Sequence, residues 1–321
     1  MSRFADALAG PAPLLLDGGL ATQLEARGHD LSDSLWSARL LLERPQEVRA
    51  AHADFFAAGA QVAITASYQV SETGFAAAGR DRREVAVALR RSVELAREAA
   101  EAAGASECGG DAPAGVTDPG GAARGQRRRF VAASVGPYGA SLADGSEYRG
   151  DYGLSVAQLR RWHRPRLEAL AAAGPDVLAL ETVPCLAEAE ALLAELDALG
   201  VPAWLSMTAD GDRTRRGEPL TQAYAMAADA PSVVAVGANC YDPADTGRVL
   251  AAVAAAAPRL AAIAYPNSGE VWDAGARRWV GAPTIGADAA REWVAQGAHL
   301  VGGCCRVTPD LIAAMGAGLR R

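Results

Sequence analysis

Short apolar runs alternate with longer, alanine-rich amphipathic stretches from one end of the chain to the other. Eight runs carry the pattern: PLLLDGG (13–19), QVAITAS (61–67), FVAASVGP (130–137), DVLALET (176–182), AWLSMT (203–208), VVAVGANC (233–240), LAAIAYPN (260–267) and HLVGGCC (299–305). Each is nearly continuous in hydrophobicity, as parallel strands covered on both faces must be. Between them, PQEVRAAHADFFAAG (45–59) sets proline in its first turn and glycine at its end, which is how a helix starts and stops. The stretches 83–104, 155–174 and 186–200 have the same helical character. Eight strand-then-helix units in series predict an α/β fold, a (β/α)8 TIM barrel, with an open doubly wound sheet as the alternative.

One such barrel uses about 250 residues, so the chain is expected to form a single domain over residues 1–321. Residues 104–129 break the rhythm. They are dense in glycine, alanine, proline and arginine without a period, and a flexible loop before strand 3 is expected there, with Cys108 inside it.

Reactive groups in such a barrel sit where strands end and the following loops begin. Those ends carry Asp17, Thr65, Ser134, Glu181, Met207, Asn239 with Cys240, Tyr265 with Asn267, and Cys304 with Cys305. Cys240 ends strand 6 and the adjacent pair ends strand 8. With strands about 4.8 Å apart, roughly 10 Å of wall separates them. Zinc–sulfur bonds of about 2.3 Å require the sulfurs to come within about 4 Å of one another, so the loops must lean inward. Gly302 and Gly303 are expected to supply that freedom.

Two adjacent cysteines can also be small core residues, and a redox pair is disfavoured because its usual signature spaces the cysteines by two residues. Three thiolates with an open fourth position describe a catalytic zinc. Such an electron-rich centre is a poor Lewis acid for hydrolysis. It suits the binding and deprotonation of a substrate thiol, whose pKa of about 8.5 leaves it mostly protonated at neutral pH.

Composition narrows the function further. Half of the residues are hydrophobic and 21% are charged, the balance of a soluble protein with a sizeable core. The net charge of −7 argues against a nucleic-acid surface, and GQRRRF (125–130), the one basic run, reads as a solvated loop edge. No apolar segment reaches the roughly 20 residues of a membrane span, so a cytoplasmic protein is expected. Five cysteines, an odd number without a signal-peptide pattern, point to reduced thiols. All 31 basic residues are arginine, which removes every mechanism that needs a lysine Schiff base. The chain has no dinucleotide glycine fingerprint, no phosphate-cradling GKS or GKT and no GxSxG elbow. Its four histidines (His29, His52, His163, His299) show no metal-like spacing.

The motifs LLLDGGLATQLEARG, SDSLWSA, AGAQVAITASYQ, SVGPYGASLADGSEYRGDYG, HRPRLEAL, GANC, YPNSGE and GGCCRVTP, spread over about residues 13 to 313, resemble the homocysteine S-methyltransferases, relatives of betaine-homocysteine methyltransferase. The likeness is strongest to the bacterial branch that uses S-methylmethionine. It implies Cys240, Cys304 and Cys305 as zinc ligands, Asp17 and Glu181 around the homocysteine ammonium group, and Gly18 and Thr65 near its carboxylate. Ser134 and Asn239, on the same rim, complete the expected substrate-binding set. Departures are small: DGGLAT for DGAMAT, GANC for GINC, and the stretch 104–129.

The implied reaction passes a methyl group from a sulfonium donor, S-methylmethionine or S-adenosylmethionine, to homocysteine, giving methionine. Small molecules are then the only partners, with neither nucleic acid nor membrane, and no feature sets an oligomeric state. Glu147 and Tyr148, after strand 3, offer a carboxylate and an aromatic face to the donor cation. The rival readings are a zinc-dependent hydrolase on the same barrel and a non-enzymatic thiol metal carrier or redox sensor. Hydrolytic zinc sites favour histidine and carboxylate ligands.

Overall fold

The computed structural model describes residues 2–33, 35–108, 128–273 and 278–320. All eight apolar runs form strands: β1 (Leu14–Leu15), β2 (Val62–Ile64), β3 (Phe130–Val135), β4 (Val177–Val183), β5 (Ala203–Met207), β6 (Val233–Asn239), β7 (Ala261–Tyr265) and β8 (Ala298–Val301). They pair in parallel in the order β1-β8-β7-β6-β5-β4-β3-β2. A parallel bridge from Leu16 to Val62 joins the two ends, with Gln61 N donating to Leu15 O and Asp17 N to Val62 O. The result is a (β/α)8 barrel, not an open sheet.

The principal outer helices are α1 (Pro45–Ala57), α2 (Arg82–Cys108), α3 (Val156–Ala172), α4 (Leu186–Leu193), α5 (Leu220–Ala228), α6 (Thr246–Ala256), α7 (Ala287–Ala295) and α8 (Pro309–Leu319). Their starts follow local chemistry. Pro45 and Pro309 occupy first-turn positions where a missing N–H costs nothing, and Ser155 with Gln158 closes a reciprocal capping box at α3. The helix α2 continues to Cys108, so its last residues take up the beginning of the stretch 104–129. Residues 109–127 of that stretch lie outside the described residues.

Two-residue periodicity decides what fills the barrel. Val62, Phe130, Ala132, Val177, Ala179, Trp204, Ala235, Ile263 and Leu300 form its inner cluster. A short helix ahead of β1, Arg3–Leu8, drives Phe4 against Phe130 and Trp204, with ring centroids 5.3 and 6.0 Å apart. These contacts lie at the starts of the strands and close the barrel floor. Counting on in twos from the inner residues reaches Ser134, Glu181, Ser206, Asn239 and Tyr265 at the opposite end. The fold therefore turns polar side chains inward at the rim where the strands finish.

The outer layer is apolar on the opposite parity, with Leu178, Leu180, Leu205 and Val236 packed beneath the helices. Two antiparallel hairpins, absent from the periodic pattern because their strands are so short, decorate the rim at Ala209–Asp210 with Arg213–Thr214 and at Val271–Asp273 with Arg278–Val280. Among the described residues no helix is long and apolar enough to cross a membrane.

Candidate active site

Cys240 follows β6, and Cys304 and Cys305 follow β8. The expected inward lean brings the Cα atoms of Cys240 and Cys304 to 5.4 Å, and the three Sγ atoms lie within 4.8 Å of one another. Cys240 Sγ and Cys305 Sγ are 4.0 Å apart. Backbone bonds fix the β8 loop: Cys304 N donates to Pro266 O (2.7 Å), and Cys305 N donates to Asn267 Oδ1 (3.1 Å). The glycines serve close approach. A Cβ on Gly302 would meet Leu16 Cβ at 2.6 Å, and one on Gly303 would meet Val307 side-chain carbons at 2.4 Å. Cys240 itself sits at φ 52, a left-handed conformation that costs a non-glycine residue energy and is held by its surroundings.

One expectation changes here. Cys240 and Cys304 are joined as a disulfide, whereas Cys185 and Cys305 are free thiols. The reduced state expected of every cysteine fails at this pair because the lean places Cα atoms 64 residues apart in sequence within ordinary disulfide reach. A spacing rule within one loop does not see a pair made across strands. Metals are held by thiolates, so reduction of this pair must precede coordination by all three sulfurs. The donor set and its spacing fit a soft, thiophilic metal ion.

Beside the sulfurs stand two buried carboxyl groups. Asp17 continues the β1 ladder, and its Oδ2 accepts from Ile64 N at 2.8 Å while Oδ1 has no protein partner. Burial raises its pKa well above its ordinary value, and Glu181 adds to the rise. Glu181 accepts from the Ser134 hydroxyl on Oε1 and from the Tyr265 hydroxyl on Oε2, the latter at 3.2 Å. Burial pushes it up to about 7, against the lowering effect of those two bonds. The Cys305 thiol is likewise raised to about 11 by burial, with Glu181, Glu25 and Glu147 adding to it.

The other expected residues reach the same rim in different roles. Asn239 is saturated within the protein: Oδ1 accepts from Thr182 N (2.7 Å) and the Ser206 hydroxyl (2.8 Å), and Nδ2 donates to Thr182 Oγ1 (2.7 Å) and toward Cys304 Sγ (3.9 Å). It orients the β4 end and one sulfur. Thr65 Oγ1 accepts from Ser134 N (3.0 Å) and pairs with Ser67 Oγ (2.8 Å), whose proton goes to Ser134 O (2.7 Å). The single Thr65 hydroxyl proton is thus directed at Ser67. Gly18 is required by packing, since a Cβ there would lie 2.3 Å from Val307 O and 2.8 Å from the Phe55 ring.

Of these groups Gly18, Thr65, Glu181, Asn239, Tyr265 and the three cysteines line one cleft of about 210 Å³ at the strand-end rim, while Asp17 and Ser134 stay outside its lining. A family profile described as homocysteine S-methyltransferase matches residues 14–319. The chain belongs to the homocysteine S-methyltransferase family. It is 47% identical over 309 residues to the homocysteine S-methyltransferase of Escherichia coli K12, covering 95% of this chain and 94% of that one. The crystal structure of the E. coli homocysteine methyltransferase MmuM in its metallated form superposes with a TM-score of 0.83 at 44% identity, covering 97% of this chain and 98% of that one. Its oxidized form superposes at 0.81 with 45% identity, covering 95% of each.

Within this family member the cleft also holds residues that strand ends alone do not reveal. Trp36 and Tyr68 meet edge to face at 6.3 Å, and Glu147 and Tyr148 of the β3 loop line the opening with them. Trp36 stands in the SDSLWSA motif and Tyr68 in AGAQVAITASYQ, so the signal was in the motifs rather than in any period. Arg306, directly after the cysteine pair, lines the same space.

Proposed function

We propose that the protein transfers a methyl group from a sulfonium donor to the thiol of homocysteine, with zinc held by Cys240, Cys304 and Cys305. The observation that carries this reading is the convergence of three sulfurs beside the buried Glu181 carboxyl in one cleft. When bound, the ion would favour the thiolate form of the substrate sulfur at neutral pH.

Glu181 and Asp17 receive the homocysteine ammonium group. The oriented carboxyl of Glu181 supplies the acceptor in the cleft, and the buried Asp17 adds an Oδ1 that no protein group satisfies. Ser134 and Tyr265 fix the carboxyl plane, Asn239 holds the Thr182 backbone and the Cys304 side, and Gly18 with Thr65 shapes the floor for the carboxylate. Trp36, Tyr68 and Tyr148 give aromatic faces to the donor cation, and Glu147 a carboxylate.

The substrate thiol first gives its proton to solvent. Its sulfur then attacks the donor methyl carbon in line, the old S–CH3 bond breaks, and its electron pair stays on the donor sulfur, which leaves as a neutral thioether. An anion and a cation combine, so charge disperses toward the transition state and a dry site favours the step.

Reduced protein should contain about one zinc per chain and form methionine from homocysteine and S-methylmethionine. Cys304→Ser should abolish both while leaving the far-UV circular dichroism close to that of the parent. Turnover without bound metal would sink the proposal.

A further inference from the structure

Among the described residues lining the cleft, Arg306 is the one cationic side chain; Glu25, Glu147 and Glu181 are its acids. That balance has a chemical reading that rests on the sulfonium donor proposed above. Homocysteine brings one ammonium and one carboxylate. A donor that is itself an amino acid brings an ammonium, a sulfonium and a second carboxylate. The acids can meet the ammonium and sulfonium groups, and one of the two carboxylates is left for the guanidinium that Glu270 already orients.

The position of Arg306 is built rather than incidental. It takes φ 66, a left-handed conformation, and its backbone N–H donates to Thr22 Oγ1 at 3.1 Å. Glu25 lies three residues beyond Thr22 on the helix Leu20–Ala26, so both face the same side. One Nη reaches Glu270 Oε1 at 3.3 Å, whereas the buried Nε has no protein partner. A guanidinium tethered to Glu270 by one Nη, with its side chain still 35% exposed at the cleft, keeps further N–H groups free to take a carboxylate.

We infer that Arg306 anchors the α-carboxylate of an amino-acid sulfonium donor, with Glu25 beside it at the mouth of the cleft to meet the donor's ammonium group. The site thereby selects a donor with a free amino-acid head group over a sulfonium that lacks the carboxylate. Homocysteine, seated beside the sulfurs with its carboxylate at Gly18 and Thr65, does not use this residue.

The test compares S-methylmethionine with its carboxamide, which keeps the sulfonium and ammonium and loses only the negative charge. With the parent protein the carboxamide should show a KM higher by about 10- to 100-fold. Arg306→Gln should raise the KM for S-methylmethionine by a similar factor and leave the carboxamide, the homocysteine KM and bound metal unchanged. Should that variant lose its metal, Arg306→Lys decides the matter. A reduced preference for acid over amide supports the assignment, and an unchanged preference overturns it. Equal KM values for the two donors with the parent protein, or a rise confined to homocysteine, would also overturn it. No methyl transfer from either donor would remove the donor reading itself, and this anchor with it.

Discussion

The Tyr265 hydroxyl, at the end of β7, donates to Glu181 Oε2, at the end of β4, across 3.2 Å. With Ser134 on the other oxygen, the carboxyl plane is fixed two strands away from Cys240 and four from Cys304 and Cys305. Asp17, Tyr68, Tyr265 and Cys305 sense its charge.

The first consequence is a pH-dependent affinity. Burial raises Glu181 to about 7, and the carboxylate is the form that pairs with an ammonium group. Its population falls as pH drops through 7, so the KM for homocysteine should rise about fivefold between pH 7 and pH 6. Glu181→Gln should raise KM and flatten the profile. A KM in the parent protein that is independent of pH over this window would contradict the assignment.

Stability should respond in the opposite sense. A carboxyl whose folded pKa is raised stabilises the fold fully below its ordinary value of 4.5, and that contribution is lost as pH climbs through about 7. Above pH 7 the buried charge costs about 3 kcal/mol. Glu181→Gln removes that cost and should raise Tm at pH 8 while changing it little at pH 5. Thermal unfolding at the two pH values checks the sign.

The sulfurs give a count. Cys240 and Cys304 are joined, so reduction should add two titratable thiols to the denatured chain. Zinc uptake should require the reductant, because a disulfide offers no thiolate. Stoichiometric uptake by protein in which that pair is still joined would contradict the three-sulfur site.

Strand order and the inward polar residues were legible because period-two parity carries Ala132 to Ser134, Ala179 to Glu181 and Ile263 to Tyr265 without any knowledge of loops. The cysteine set was legible for the same reason: it hangs from the ends of β6 and β8. Loop conformation was not. The joining of Cys240 to Cys304 depends on how far two loops lean, and the saturation of Asn239 depends on Thr182, which takes φ 56 just past the inward Glu181. Trp36, Tyr68 and Arg306 lie on segments with no period to read. The pairing of His163 with Glu188 at 2.8 Å, both fully buried, joins α3 to α4 through side chains that look unremarkable in either helix alone.

Arg166 extends that buried network to the cleft. It stands one turn from His163 on α3, and its guanidinium donates to Gly136 O and Tyr68 O, each at 3.0 Å, while lying 4.8 Å over the Trp162 ring. Burial lowers its pKa to about 10, so it remains charged at neutral pH. The β2 and β3 loops touch where it binds them, since a Cβ on Gly136 would meet Tyr68 O at 2.4 Å. Arg166→Met leaves two buried carbonyls without donors and should cost about 3 kcal/mol in denaturant unfolding. Because Tyr68 lines the cleft on the side proposed for the donor, the surviving folded variant should also show a raised KM for the sulfonium donor, with the homocysteine KM little changed. Arg166→Lys, which can reach one of the two carbonyls, should fall between. A loss below 1 kcal/mol in the methionine variant would mean that the two loops hold each other without the guanidinium.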